Sequence, residues 1–225
     1  MKTFLIATRN AHKVGEIRSI LGGNFQYLTL KDFPGAPAVV EDAATFAGNA
    51  SKKAVELARW LANGQTATLP SDLWVLADDS GLEVDALKGA PGVHSARFAA
   101  VDHLKDGNTP DADNNAKLLR LLREIPADQR TARFRCVIAI TPVVAEPVTN
   151  ASPMGSAPAE LTVELFDGAC EGRIDLAPLG QGGFGYDPLF IPAGFEQSFA
   201  ELGETVKDRI SHRAQALGKL KQWLG

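Results

Sequence analysis

Two short segments, TFLIA at residues 3–7 and LWVLA at 73–77, are apolar runs without alternation. A strand with that pattern is covered on both faces, so the chain must build a sheet with helices on each side. The second run leads directly into two adjacent carboxylates, Asp78 and Asp79, followed by Ser80 and Gly81. A strand ending at Ala77 puts this acidic pair at a carboxyl end, where open α/β sheets bind ligands. Neighbouring residues of an extended chain point to opposite sides, so the two aspartates need not serve one site. The plain alternative is a surface turn, for which Asp-Ser-Gly is good chemistry.

Helical periodicity fills the intervals. Val14, Ile17, Ile20 and Leu21 make one stripe over residues 12–21, stopped by Gly22-Gly23. A second helix fits 43–62. A third starts at Thr109-Pro110, with Thr as N-cap and Pro in the first turn, and ends at Pro126. Residues 133–140 and 161–165 alternate with period two, which predicts paired antiparallel strands. Between them the Pro-rich stretch 142–160 reads as an inserted loop. The last helix covers 212–224, capped by Ser211, with Leu217, Leu220 and Leu224 facing inward. Interleaved strands and helices predict an α/β class with a mixed sheet, and 225 residues suit one domain spanning 1–225.

A net charge of -4 argues against sequence-independent nucleic-acid binding. The two cysteines, Cys136 and Cys170, show no metal-finger spacing and read as buried thiols. No apolar run is long enough for a signal core or a membrane span, so the expected location is cytoplasmic.

Five places carry candidate chemistry. In ATRNAHKVGE a buried strand gives way to a helix, whose first N–H groups suit phosphate. Thr8, Arg9, Asn10, Ala11 and His12 surround that turn, and Lys13 adds a mobile positive charge. Glu41 and Asp42 either start a helix or supply a carboxylate to a cation. Asp78 and Asp79 need a cation or donors nearby to remain charged side by side. With four histidines and no H-E-x-x-H, any metal here is held by oxygen, which favours Mg²⁺. Gly180, Gly182 and Gly185 satisfy G-x-G-x-x-G, but Pro188 and LFIP follow where a dinucleotide fold needs a helix. What remains is a glycine loop presenting Phe184 and Tyr186, suited to stacking on a base, with Asp187 before a proline. Lys207, His212 and Arg213 gather near the start of the last helix, where cations oppose the dipole and call for an anionic or carbonyl-rich neighbour. Together these signals indicate a nucleotide.

The chain resembles the inosine/xanthosine triphosphate pyrophosphatase family, enzymes that remove deaminated purine nucleotides. The matching motifs are Thr8-x-Asn10-x-x-Lys13-x-x-Glu16, ADDSGL at 77–82, GAPGVHSARF at 89–98, GGFGYDPLF at 182–190 and ISHRAQAL at 210–217. The resemblance implies an elongated mixed sheet with two lobes around a cleft, and a homodimer. It implies that residues Thr8 to Lys13 line the phosphates and that Glu41 and Asp79 hold Mg²⁺. Asp79 is also the implied proton acceptor and Lys13 the main cation. Ser80 falls where the family contacts substrate and Arg97 in a motif near the phosphate end; Phe184 to Asp187, Lys207, His212 and Arg213 fall at the nucleoside. The implied reaction cleaves ITP, dITP, XTP or dXTP to the monophosphate and pyrophosphate. One position departs: Gly48 stands where the family often carries glutamate. The alternative is a non-catalytic nucleotide sensor, which would not need Glu41 and Asp79 together. An aspartyl phosphatase would want D-x-D-x-[TV], which DDSGL lacks.

Overall fold

In a computed structural model, which describes residues 1–64, 69–103, 107–144 and 161–225, six strands form one mixed sheet. They are β1 (Thr3–Ile6), β2 (Gln26–Thr29), β3 (Leu73–Val84), β4 (Thr131–Pro142), β5 (Glu164–Ile174) and β6 (Phe190–Pro192), ordered β2-β1-β3-β4-β5-β6. β1 lies parallel to β2 and β3, and the remaining pairs are antiparallel. The helices are α1 (Ala11–Leu21), α2 (Phe46–Gly64), α3 (Asp111–Leu121), α4 (Phe199–Ile210) and α5 (His212–Leu224).

The sheet is covered on both faces, as the unalternated runs require. Leu5, Val75, Ala77 and Val137 pack with Ala50, Ala54 and Leu57 of α2. Phe4, Ile6, Leu76 and Cys136 point the other way, against Ile17 of α1 and Leu217 and Leu220 of α5. A third cluster joins Leu82, Phe134, Phe190 and Phe199 with Leu118 of α3. Cys136 and Cys170 are separate buried thiols. Among the described residues no helix is long and apolar enough to cross a membrane.

The structure moves one boundary that matters for function. β3 does not stop at Ala77; it continues through both aspartates to Val84, with Asp78 opposite Ile138 and Asp79 opposite Val137. The ladder with β4 supplies backbone partners past the acidic pair, so Asp-Ser-Gly is strand and not turn. Gly81 lets the 92–95 segment lie close against this strand: a Cβ there would lie 2.4 Å from Ser95 Oγ and 2.5 Å from Gly92 O.

Smaller shifts have local causes. α2 begins at Phe46, where the Thr45 hydroxyl accepts the Gly48 N–H. α3 begins at Asp111 because the Thr109 hydroxyl donates to Asn114 instead of capping the helix. β5 starts at Glu164, not 161, and runs on to Ile174. Pro142 ends β4, and of the Pro-rich stretch residues 145–160 lie outside the described residues. α4 was not foreseen: it starts in a Ser198–Glu201 capping box and is broken at Gly203. Lys207 therefore sits in the last turn of α4, where a cation suits the dipole, and not at the start of α5.

Candidate active site

The strand alternation sends the two aspartates to opposite faces. Asp78 turns toward α1 and α5 with its side chain fully buried. Its Oδ1 accepts from Lys13 Nζ at 2.5 Å and Ser80 Oγ at 3.0 Å. Its Oδ2 accepts from Arg213 Nε at 2.9 Å and Cys136 Sγ at 3.2 Å. Burial alone would push this carboxyl up, but the Arg213 and Lys13 charges outweigh it and hold Asp78 well below the ordinary carboxylate range. Asp78 is therefore held in its charged form at neutral pH.

Asp79 turns toward α2. Asn49 Nδ2 donates to its Oδ2 at 3.2 Å, and Lys53 Nζ lies 3.2 Å from its Oδ1. Lys53 also donates to the Asp78 carbonyl at 2.7 Å and sits 3.3 Å from Glu41 Oε2. Here burial prevails over Lys53 and Lys13, and the negative charge of Glu41 adds to it, so the Asp79 carboxyl is raised. Two adjacent residues of one type thus differ in proton affinity because the cations around Asp78 outweigh its burial, whereas those around Asp79 do not.

From Asp78 an unbroken chain of alternating charges continues through α5, α1 and α4 to the glycine loop. Arg213 pairs with Glu16, Glu16 with Lys207 at 2.9 Å, and Lys207 with Asp187 at 2.5 Å. The Arg213 guanidinium also donates to Ser80 Oγ at 2.9 Å. Its cationic cluster, expected to face an anionic neighbour, finds that neighbour inside the protein.

Two adjoining cavities hold most of the expected residues. The first, about 300 Å³, is lined by Thr8, Arg9, Asn10, Lys13, Glu41, Lys53, Asp78, Asp79, Ser80 and Arg97 among others. The second, about 140 Å³, shares Asn10, Lys13 and Ser80 and adds Phe184, Gly185, Tyr186, Asp187, Lys207, His212 and Arg213. Ala11 and His12 line neither; they border a third cavity with Phe184 and Lys207. Helix geometry explains this, since residues following the cap turn away from Lys13.

Several expected roles change in detail. The Asn10 side chain accepts the His12 and Lys13 N–H groups at 2.9 and 3.2 Å, so the protein itself caps donors expected for phosphate. Phe184 stacks on His12, with ring centroids 5.2 Å apart, and Lys207 Nζ lies 4.3 Å from its centroid. Tyr186 is a core residue whose hydroxyl donates to Ser95 O at 2.9 Å. Asp187 shapes the glycine loop by accepting the Phe184 N–H at 2.9 Å. His212 stacks on Phe134, and burial together with Arg213 and Lys207 holds its imidazole neutral, with Nδ1 lacking a partner. Arg97 donates to the Glu41 carbonyl at 3.0 Å, which anchors the segment bearing that carboxylate.

Sequence reasoning missed Lys53, Asn49 and Glu16 as working parts. Asn49 and Lys53 stand one turn apart on α2, a polar stripe where an amphipathic helix should be apolar. Gly48 sits where a side chain is crowded: a Cβ there would lie 2.8 Å from the Ala43 Cβ. No group of three or more His, Cys, Asp or Glu forms a metal cage among the described residues. Glu41 and Asp79 converge on one cation, Lys53 Nζ at 3.3 and 3.2 Å, so the pair fits a hard dication that brings its own water and phosphate oxygens only with Lys53 displaced from between them.

A six-stranded mixed sheet with cations, a raised carboxyl and an acidic partner around joined cavities defines an α/β protein built to hold a polyanionic ligand. The chain belongs to the Ham1 family, whose family model matches residues 4–223. It is 47% identical to the dITP/XTP pyrophosphatase of Desulforamulus reducens, over 98% of this chain and 94% of that protein. It is 44% identical to the protein of that name from Exiguobacterium sibiricum, over 96% and 94%. The Staphylococcus aureus Ham1 structure superposes with a TM-score of 0.75 at 30% identity, covering 99% of this chain and 98% of that one. A HAM1 protein from Coxiella burnetii gives 0.74 at 32%, covering 100% and 98%.

Proposed function

We propose that the chain is a nucleoside-triphosphate pyrophosphatase that cleaves ITP, dITP, XTP and dXTP between the α and β phosphates. The observation that carries this is geometric: Asp79 and Glu41 share Lys53 at 3.2 and 3.3 Å in a cavity also lined by Lys13, Arg9 and Asn10. The names of the relatives supply the substrate class.

A carboxyl with elevated proton affinity accepts a proton better than an ordinary one. Asp79 takes the proton of a water whose oxygen joins phosphorus as the bridging P–O bond breaks; the displaced phosphate oxygen carries away the bond's electrons. Lys13 and Lys53 stabilise the charge that develops on the phosphate oxygens. Asn49 fixes Asp79 through its Oδ2 and ties it to the segment carrying Glu41, because Asn49 Oδ1 accepts the Ala43 N–H at 2.9 Å. Mg²⁺, held by Glu41 and Asp79, would neutralise polyphosphate charge when bound.

The second cavity takes the nucleoside. In this reading a 6-oxo base is told from adenine because it presents an acceptor where adenine presents an amino group. A cytoplasmic location, homodimeric assembly and a two-lobed cleft belong to the same proposal.

The test is pyrophosphate release from ITP, XTP, GTP and ATP, with Mg²⁺ and with EDTA. Metal-dependent release from ITP and XTP, with GTP and ATP poor, is the expected result. Tight binding of ITP without release would establish the sensor instead, and release of single phosphates would refute cleavage at the α–β bridge.

A further inference from the structure

Gly185 lies at the tip of the loop that walls the second cavity, at φ +63. Both of its backbone polar groups are held from α3. Its N–H donates to Asp111 Oδ2 at 2.6 Å, and its carbonyl accepts from Asn115 Nδ2 at 3.0 Å. Asp111 and Asn115 stand four residues apart and so share one helix face.

The helix offering these groups is rigidly mounted. Asn114 Oδ1 accepts the Ala99 N–H at 2.8 Å, Lys117 donates to the Phe98 carbonyl at 2.7 Å, and Leu118 is buried in the third core cluster. The loop is the opposite kind of element. It carries positive φ at Gly183 and Gly185, a backbone with more freedom to lose than any other. Inside the turn, Asp187 accepts the Phe184 N–H and so ties the two sides of the loop together. The tip itself is set by α3.

We propose that Asp111 and Asn115 are positioning residues: they latch the glycine loop to α3 and so set the width of the second cavity for the base. The proposal rests on reading that cavity as the nucleoside end. A latch that shapes the cavity equally before and during reaction acts on substrate affinity, so its loss raises KM and spares kcat.

The variants separate the latch from helix stability. Asp111→Ala removes the acceptor, while Asp111→Asn removes the charge but keeps an amide oxygen for the Gly185 N–H. Asn115→Asp retains the shape and turns a donor into a carboxylate facing a carbonyl. In the nucleotide-free protein, amide exchange of the 183–187 segment speeds up in Asp111→Ala and Asn115→Asp and stays near the parent rate in Asp111→Asn. KM for ITP rises roughly tenfold in the first two, the size expected for partial loss of contacts to one base. Inhibition by inorganic tripolyphosphate, which engages only the phosphate end, is unchanged.

Asp111→Asn behaving like Asp111→Ala would overturn the latch in favour of a charge effect on the first turn of α3. Faster exchange with an unaltered KM for ITP would overturn the positioning role even if the parent turns ITP over. A parent that releases nothing from any nucleotide would refute the functional reading separately, and the exchange rates would still decide whether the latch exists.

Discussion

Replacing Asp78 by Asn and Asp79 by Asn, two isosteric changes one residue apart, should have opposite consequences. Asp78 is fully buried and accepts from Lys13, Ser80, Arg213 and Cys136. An amide at that position offers one acceptor oxygen and turns its N–H₂ toward existing donors, leaving the buried Arg213 charge with only Glu16 as a partner. Removing one member of a buried ion pair costs about 3–5 kcal/mol. In a chain of this size each kcal/mol lowers Tm by about 2–4 °C, so the loss is on the order of 10 °C. Asp79 differs because its ionised form is already disfavoured by burial and by Glu41. Asp79→Asn removes that penalty, and its amide oxygen can still accept from Asn49, so stability stays level or rises while pyrophosphate release collapses. Urea unfolding followed by circular dichroism, at one protein concentration and pH 7, measures the stabilities; ITP turnover measures activity. The reasoning is wrong if Asp78→Asn unfolds within about 1 kcal/mol of the parent, a surface-like value, or if Asp79→Asn loses as much as Asp78→Asn.

Acid should expose the same asymmetry. Asp78 and Glu16 are held low in the folded state by Arg213 and by Lys13 or Lys207 against the push of burial. Their stabilisation is complete above the unfolded values, about 3.9 and 4.3, and is lost as pH falls through the lower folded values. Asp79 and Asp187, raised by burial, act in the opposite sense. Urea midpoints between pH 7 and pH 3 should therefore fall steeply at the acid end in the parent and more gently in Asp78→Asn; parallel curves would contradict the assignment. Lys53→Met leaves Glu41 and Asp79 without the ammonium between them, so the acid limb of the kcat/KM profile moves to higher pH, and an unmoved limb would remove Asp79 as the titrating base. Gly48→Glu, which restores the residue common in the family, crowds the Ala43 Cβ and is expected to cost roughly 1–3 kcal/mol without faster turnover. A faster, equally stable variant would show that Gly48 is a lost working residue.

Much of the fold was legible because it follows from periodicity. The unalternated runs at 3–7 and 73–77 demanded a sheet covered on both sides, and α1, α2 and α5 provide that cover. Local chemistry foretold caps such as Ser211, whose hydroxyl accepts the Ala214 N–H at 3.2 Å. It failed where a local signal had a non-local competitor: Thr109 gives its hydroxyl to Asn114, and the Asp-Ser-Gly segment stays extended because β4 pairs with it.

The list of polar residues around the cavities was likewise readable from motifs, since residue type and spacing are properties of the chain. Their division of labour was not. Sequence alone placed Asp78 beside Asp79 and, through strand alternation, allowed them to part. Only the tertiary structure decided that Asp78 meets Lys13 and Arg213, 65 and 135 residues away, while Asp79 meets Asn49, Lys53 and Glu41. Proton affinity depends on burial and on charges within a few ångströms, and which charges come that close is set by how α1, α2 and α5 pack on the two faces of the sheet.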